Sequence, residues 1–373
     1  MEIKRLYYVD WLRVLVILSL IPFHAALTYL TFGSVYIKSP VNGIENAIPF
    51  LIVVTPLSDF FMTLLFFLSG IASFYSFKSR QAKKYIQERI RKLLIPFILG
   101  TILLCPVQAY LKALYEGFHG GLIQFIPQFF SNKIVYYLGY AHFWFLLYLF
   151  VFSLICLPLF KKCQKDKKQL DRIVDFFAKD NHMLIPIAFI IILELLLRPF
   201  FNGSQTLIMD WANDAVYLSI FVFGYVFASD YRIQNKIREY FKPAIFFTAV
   251  SLSLLFYVNI KFEEMNYSFN LVLLWAAAKG FYECFAIILL ICICSKYLNN
   301  GGKRIKHLSD ASFTIYIFNF LPVTFFTFIF SFLKINIYLK FILVVILSYI
   351  SVFLIHEIIL KAKSLKPKPL NTI

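Results

Sequence analysis

Charge is what this 373-residue sequence has least of: 15% of its residues are charged, against roughly 25% in an average soluble domain. Acidic groups are the scarcer kind, 20 Asp and Glu against 37 Lys and Arg, for a formal charge of +17. With 60% hydrophobic residues and a mean hydropathy of +0.75, that scarcity excludes an ordinary soluble globule and predicts an integral membrane protein. The six cysteines (Cys105, Cys156, Cys163, Cys284, Cys292 and Cys294) lack the paired spacing of a zinc site or a disulfide framework. They read as small apolar packing residues, and no metal is expected. A G-x-S-x-G elbow and a Cys/His nucleophile pair are also missing, so nothing points to a covalent enzyme intermediate. No repeat, low-complexity tract or long polar loop marks off a soluble unit, and residues 1–373 read as one transmembrane domain with a short basic tail, 361–373. The basic residues lie in short loops rather than on one continuous surface, which argues against nucleic-acid binding.

What the chain does have is long apolar runs. Windows of about 20 residues place spans near 6–30, 47–77, 93–114, 141–160, 183–201, 212–229, 243–260, 271–296, 308–332 and 336–360. The expectation is an all-α, polytopic fold of about ten transmembrane helices. Basic residues test it: 28 of the 37 fall in alternate loops and at the two ends (Lys4 and Arg5 among them), and 7, including Lys38 and Lys133, in the loops between. By the positive-inside rule both termini are then cytoplasmic, in a multi-pass protein of the plasma (inner) membrane. The first span has a basic start but no A-x-A-like exit, so it is expected to be retained rather than cleaved. The stretch 115–140, with Gly117, Gly120, Gly121 and apolar residues 122–130, reads as an interfacial connector, with a lid or re-entrant segment as the alternative.

Charged residues within membrane helices cost roughly 2.5–3.5 kcal/mol each on insertion scales. The first span carries Asp10, Arg13 and His24. Eleven residues separate Arg13 from His24, within about 20° of three full turns, so the three groups share one stripe and span about 16 Å of helix axis. Asp10 and Arg13 are either a snorkelling interfacial pair or part of a polar track. Pro22, just before His24, removes a backbone donor and favours a polar pocket there. Glu194/Arg198 and Lys279/Glu283 are i,i+4 pairs that can neutralise each other within their helices. Asp59, Asp310, His356 and Glu357 lie close to span ends and are weaker candidates.

At these residues the chain resembles the membrane-bound acyltransferase-3 family and, within it, the glucan-biosynthesis branch. Asp10-Trp11-Leu12-Arg13 with His24 is similar to the family's D-x-L-R opening and R-x10-H spacing. Further matches are Phe66-Phe67-Leu68-Ser69-Gly70 and Arg89-Ile90-Arg91-Lys92-Leu93-Leu94-Ile95-Pro96, with Lys92 where an arginine is usual. Pro106-Val107-Gln108-Ala109-Tyr110 and His142-Phe143-Trp144-Phe145-Leu146 follow in the same order. The late segment from Ser309 to Tyr316 resembles the family pattern, but Asn319 stands where a histidine is common. Asparagine hydrogen-bonds but does not titrate, so a hydrogen-bonding role is expected there.

The resemblance implies an acyltransferase that moves an acetyl or succinyl group from cytoplasmic acyl-CoA to a hydroxyl of a cell-surface glycan. A sugar hydroxyl needs its proton removed as it attacks a thioester, which suits an imidazole with a reference pKa of about 6.5. His24 is the expected general base, with Arg13 and Asp10 completing the catalytic group. Arg89, Arg91, Lys92 and Ser69 are the expected donor-binding residues, Ser69-Gly70 allowing close approach of the donor. His142, Trp144 and Asn319 are the expected acceptor-binding residues, with an interfacial-belt role the alternative for Trp144. Acyl-CoA is a substrate rather than a resident cofactor. The expected partners are the lipid bilayer, acyl-CoA and a glycan, with homo-oligomerisation open. The competing reading is a transporter or flippase for a glycan or small anionic solute, against which the lack of an internal repeat counts only mildly.

Overall fold

Backbone buried in hydrocarbon has no water to bond, so apolar runs of membrane thickness must satisfy their own amides as helix. In the computed structural model, which describes residues 6–131, 140–201 and 203–364, helices supply nearly all the regular structure. In chain order they are α1 (Tyr7–Leu27), α2 (Ile44–Ser58), α3 (Phe61–Ser79), α4 (Ala82–Arg89), a π-helical turn (Ile90–Leu94), α5 (Ile95–Leu103), α6 (Cys105–Tyr115) and α7 (Leu122–Ser131). After a 3-10 turn (Ala141–Phe143) come α8 (Trp144–Ile155), α9 (Leu157–Lys165), α10 (Lys167–Ala178), α11 (Leu184–Leu197) and α12 (Trp211–Ser229). The last six are α13 (Tyr231–Glu239), α14 (Phe241–Glu263), α15 (Phe269–Tyr297), α16 (Lys303–Phe318), α17 (Phe320–Ser331) and α18 (Ile337–Ser364).

Among the described residues, seven helical runs are long and apolar enough to cross a membrane, and nine if each of two bent pairs is one span. The tenth expected span is α11, whose 14 residues reach only about 21 Å, short of a hydrocarbon core of about 30 Å. Lys4, Arg5, Lys133 and the tail beyond 364 lie outside the described residues.

Proline sets the breaks, because its ring clashes with the carbonyl four residues back and it donates no hydrogen bond. Pro158 follows the 46° bend between α8 and α9, and Pro322 the 55° bend between α16 and α17. Pro106 lies at the start of α6, just after Leu104. Inside α1, Pro22 leaves the Leu18 carbonyl without its helical donor, and the Tyr349 hydroxyl donates to it at 2.8 Å. The polar neighbour expected there is therefore a tyrosine of α18.

Contacts sort the loops into two ends, as the charge alternation requires. At the basic end Arg232 pairs with Asp175 at 2.6 Å, and Arg80 shares a recess with Lys161 and Lys165. At the other end Glu263 accepts from the Thr31 amide and hydroxyl at 2.9 Å, and the Tyr338 hydroxyl lies 3.3 Å from Asn46. Helix α7 packs Phe125 on Tyr110 and Phe118, both with centroids 5.7 Å away, and leaves Ile123 exposed. Its packing is one-sided. Helices α3 and α12 touch backbone to backbone: a Cβ on Gly70 would fall 2.0 Å from the Phe221 carbonyl oxygen, and one on Gly224 2.1 Å from that of Phe67. Gly70 thus serves helix packing, a correction to its expected role beside a donor.

Candidate functional site

The break between α16 and α17 builds the site. It leaves the carbonyls of Tyr316 and Ile317 open to partners outside the helix, and in an apolar interior they must find donors. Asn319 Nδ2 donates to the Tyr316 carbonyl at 2.6 Å, and His142 Nε2 donates to that of Ile317 at 3.2 Å. The Tyr316 hydroxyl in turn donates to the His142 carbonyl at 2.5 Å, locking the 3-10 turn before α8 onto α16. Asn319 Oδ1 then faces His24 Nδ1 at 3.0 Å. His24, His142 and Asn319 are all buried, with the two imidazole centroids 6.4 Å apart. Phe320 closes one side, 4.4 Å from His24 and 5.8 Å from His142.

This network assigns protons. The Asn319 amide gives its N–H to a carbonyl, so its oxygen faces His24 and Nδ1 must be the protonated ring nitrogen. Nε2 of His24 then carries the lone pair, and no partner among the described residues takes it up. His142 donates through Nε2, so its Nδ1 is an acceptor, and that atom is buried without a partner. A second orphan is Gln108 on α6, fully buried with both amide atoms unpaired. One turn before it, Cys105 hydrogen-bonds Tyr36, whose ring lies 5.5 Å from Phe320. Buried polar atoms left unpaired in a native fold call for an explanation, and one of them, Nδ1 of His142, belongs to the ring that lies 6.4 Å from that of His24.

The other expected residues are arranged differently. Asp10 and Arg13 pair at 3.6 Å at the basic end of α1, so the structure separates them from His24. Trp144 is buried, 6.0 Å from Tyr217 and 5.2 Å from Tyr148. That makes it an interior stacking residue, neither an open sugar platform nor a belt residue. Arg89 is turned inward, its Nη2 donating to Ser73 at 3.0 Å and its guanidinium 4.6 Å from the Tyr85 ring. Ser69 is half-buried and gives its carbonyl to the Ser73 hydroxyl. Lys92 is exposed and pairs with Glu88 at 2.8 Å, and Arg91 is exposed. A concave basic feature lies nearby, the recess of Arg80, Gln81, Ala82, Lys161, Gln164 and Lys165, where α3 runs into α4 beside α9. Those residues belong to loops 75 positions apart or more in sequence, so only tertiary structure joins them.

The two i,i+4 pairs merge into one buried network. Arg198 makes a two-pronged bond to Glu194 at 2.6 and 2.7 Å and reaches Asn213 at 2.9 Å. Lys279 pairs with Glu283 and lies 3.4 Å from Glu194. Thr63 donates to Glu283 at 2.7 Å. Asp59 is buried at the α2–α3 break, where its carbonyl accepts from Lys279 at 3.3 Å, rather than lying exposed at headgroup level. All six cysteines are free and buried. For metals, His307, His356 and Glu357 place ligand atoms within 4.8 Å of one another at the basic end, away from the histidine pair.

Taken together, these features define a polytopic helical membrane protein with a buried histidine pair held by a broken helix. The sequence profile of a family described as an acyltransferase domain matches residues 6–357, and the chain belongs to that family. Among curated proteins, glucans biosynthesis protein C of Escherichia coli (strain K12) is 27% identical over 173 residues, which is 45% of this chain and 42% of that protein. The protein of the same name from Escherichia coli O1:K1 / APEC matches to the same extent. The match spans less than half the length of these relatives. No solved structure matches the chain.

Proposed function

We propose that this chain is a transmembrane O-acyltransferase that carries an acetyl or succinyl group from acyl-CoA at its basic end to a hydroxyl of a glycan at the other. The observation that carries the proposal is the His24–Asn319 bond, because it leaves Nε2 of His24 as a positioned base. The acceptor hydroxyl oxygen attacks the thioester carbonyl carbon while its proton passes to His24 Nε2. The tetrahedral intermediate then expels the thiolate, which takes the proton back, giving an ester and free CoA. His142 Nδ1 accepts a hydrogen bond from the acceptor.

The donor's phosphates need cations. Arg80, Lys161 and Lys165 in the recess supply these in this reading, with the exposed Arg91 on the turn that follows α4. Arg89 holds α3 to α4, and the Asp10–Arg13 pair lies along the route of the pantetheine arm. The basic loops face the cytoplasm of an inner-membrane protein. The reaction is tested by incubating the reconstituted chain with acetyl- or succinyl-CoA labelled in the acyl group and with glucan. Alkali-labile label on the glycan supports transfer, whereas glycan redistributed across the membrane without label makes the chain a transporter.

A further inference from the structure

A second cavity lies in the half of the bundle nearer the basic loops, and it shares no residue with the histidine site. Its walls are the basic-side halves of α11, α12 and α15, represented by Ile187, Phe223, Ile287 and Ile291, with Phe67 of α3 at the inner end. Along α15 the lining runs from Cys284 to Ile291, about 10 Å of helix axis. Its floor towards the basic loops is α13, an amphipathic helix that buries Ile233 and Ile237 and turns Arg232, Lys236 and Arg238 away from the core. An ion pair from Arg232 to Asp175 at 2.6 Å ties this helix to α10.

Three observations fix what the cavity takes. Its lining is apolar, so water gains no partners inside it, while an empty space forfeits the dispersion contacts of its walls. The adjacent solvent is hydrocarbon, which fits. The polar group at the mouth, the Tyr240 hydroxyl, is shielded and has no hydrogen-bond partner among the described residues. It is a donor without an acceptor, on the residue that follows α13. Around that mouth Arg232 is paired with Asp175 and Asp230, and Lys236 with Glu239, while the exposed Arg238 and Lys242 have no acidic partner among the described residues and complement a negative headgroup.

We infer that this cavity binds one acyl chain of an anionic acylglycerol lipid from the leaflet facing the basic loops. An ester carbonyl of the lipid accepts from Tyr240, and its phosphate lies against Arg238 of α13 and Lys242 of α14. The site is a built-in lipid seat between α13 and the bundle.

The test uses the full chain in nanodiscs of phosphatidylcholine doped with phosphatidylglycerol carrying a diazirine on its acyl chain. After photolysis, peptide mapping is expected to find adducts on α12 and α15 at the cavity lining. Tyr240→Phe is expected to lower their yield about fivefold, the value of one hydrogen bond. Ile287→Trp, which fills the cavity, is expected to abolish them, with Phe223→Trp in its place should that variant not fold. Three results would overturn the inference. They are a cavity yield no higher than at lipid-facing Ile346 of α18, equal yield from a phosphatidylcholine probe, and displacement by long-chain acyl-CoA but not by unlabelled phosphatidylglycerol. The last would assign the cavity to a donor.

Discussion

Asn319 Oδ1 lies 3.0 Å from Nδ1 of His24, joining residues 295 positions apart, and the same asparagine caps the carbonyl of Tyr316 through Nδ2 at 2.6 Å. One amide therefore does two things: it closes a broken helix and it fixes which imidazole nitrogen is basic. A histidine at this position could satisfy one of those partners at a time with a given ring nitrogen. The asparagine serves both without titrating.

Replacing Asn319 by leucine removes both bonds and leaves the Tyr316 carbonyl unpaired. Transfer activity should fall by about 10²-fold, the lower part of the range for general-base catalysis, with KM for acyl-CoA little changed. Asn319→Gln, which keeps the amide but lengthens the arm, should recover part of the loss. Steady-state kinetics on the three proteins at one pH checks this.

The buried network predicts a different kind of loss. Lys279→Met strands Glu283 among apolar helices and should cost about 3–5 kcal/mol of stability, while removing both charges together should cost much less. Thermal unfolding of Lys279→Met, Glu283→Leu and the double variant in one detergent measures the coupling.

For the donor, charge reversal in the recess (Lys161→Glu with Lys165→Glu) should raise KM for acyl-CoA and spare kcat, because these groups bind phosphate in both ground and transition states. The effect should shrink at high salt. A kcat loss instead would place them nearer the chemistry.

One ion pair at the basic end supplies a pH dependence. Partial burial of Asp230 works against its charge, but hydrogen bonds from the Arg232 side chain and amide outweigh that and hold its carboxyl below the usual 3.8. A carboxyl lowered on folding contributes stability that is present above its unfolded value and lost as pH falls through the folded one. The Asp230 cap of α13 should therefore loosen below about pH 4, read as faster amide exchange in 231–239, and Asp230→Asn should show that exchange at neutral pH.

Hydropathy and loop charge made most of the fold legible. All ten expected spans correspond to helices or helix pairs, because a bilayer permits little else for such runs. The spans' interiors were less legible: Pro322 signals a break, but periodicity assumes a straight helix and does not say which side chains take the freed carbonyls. His24 was visible as a costly polar residue, and helix periodicity alone put it about 16 Å from Arg13, on one stripe of α1 with Asp10. Trp144 misled because an aromatic beside a histidine is equally suited to a core stack. Arg80, Lys161 and Lys165 looked like topogenic charge, since their recess exists only once α3 and α9 meet.

The central claim is that Nε2 of His24 is the base in acyl transfer. Its most direct test is thiol release from acetyl-CoA and succinyl-CoA by the purified, reconstituted chain with glucan present, comparing wild type with His24→Gln. The account predicts release by wild type and a loss of about 10²–10⁴-fold in the variant, with unchanged thermal stability and acyl-CoA binding. Equal release by both proteins, or acyl-CoA binding with no release from either, would contradict it.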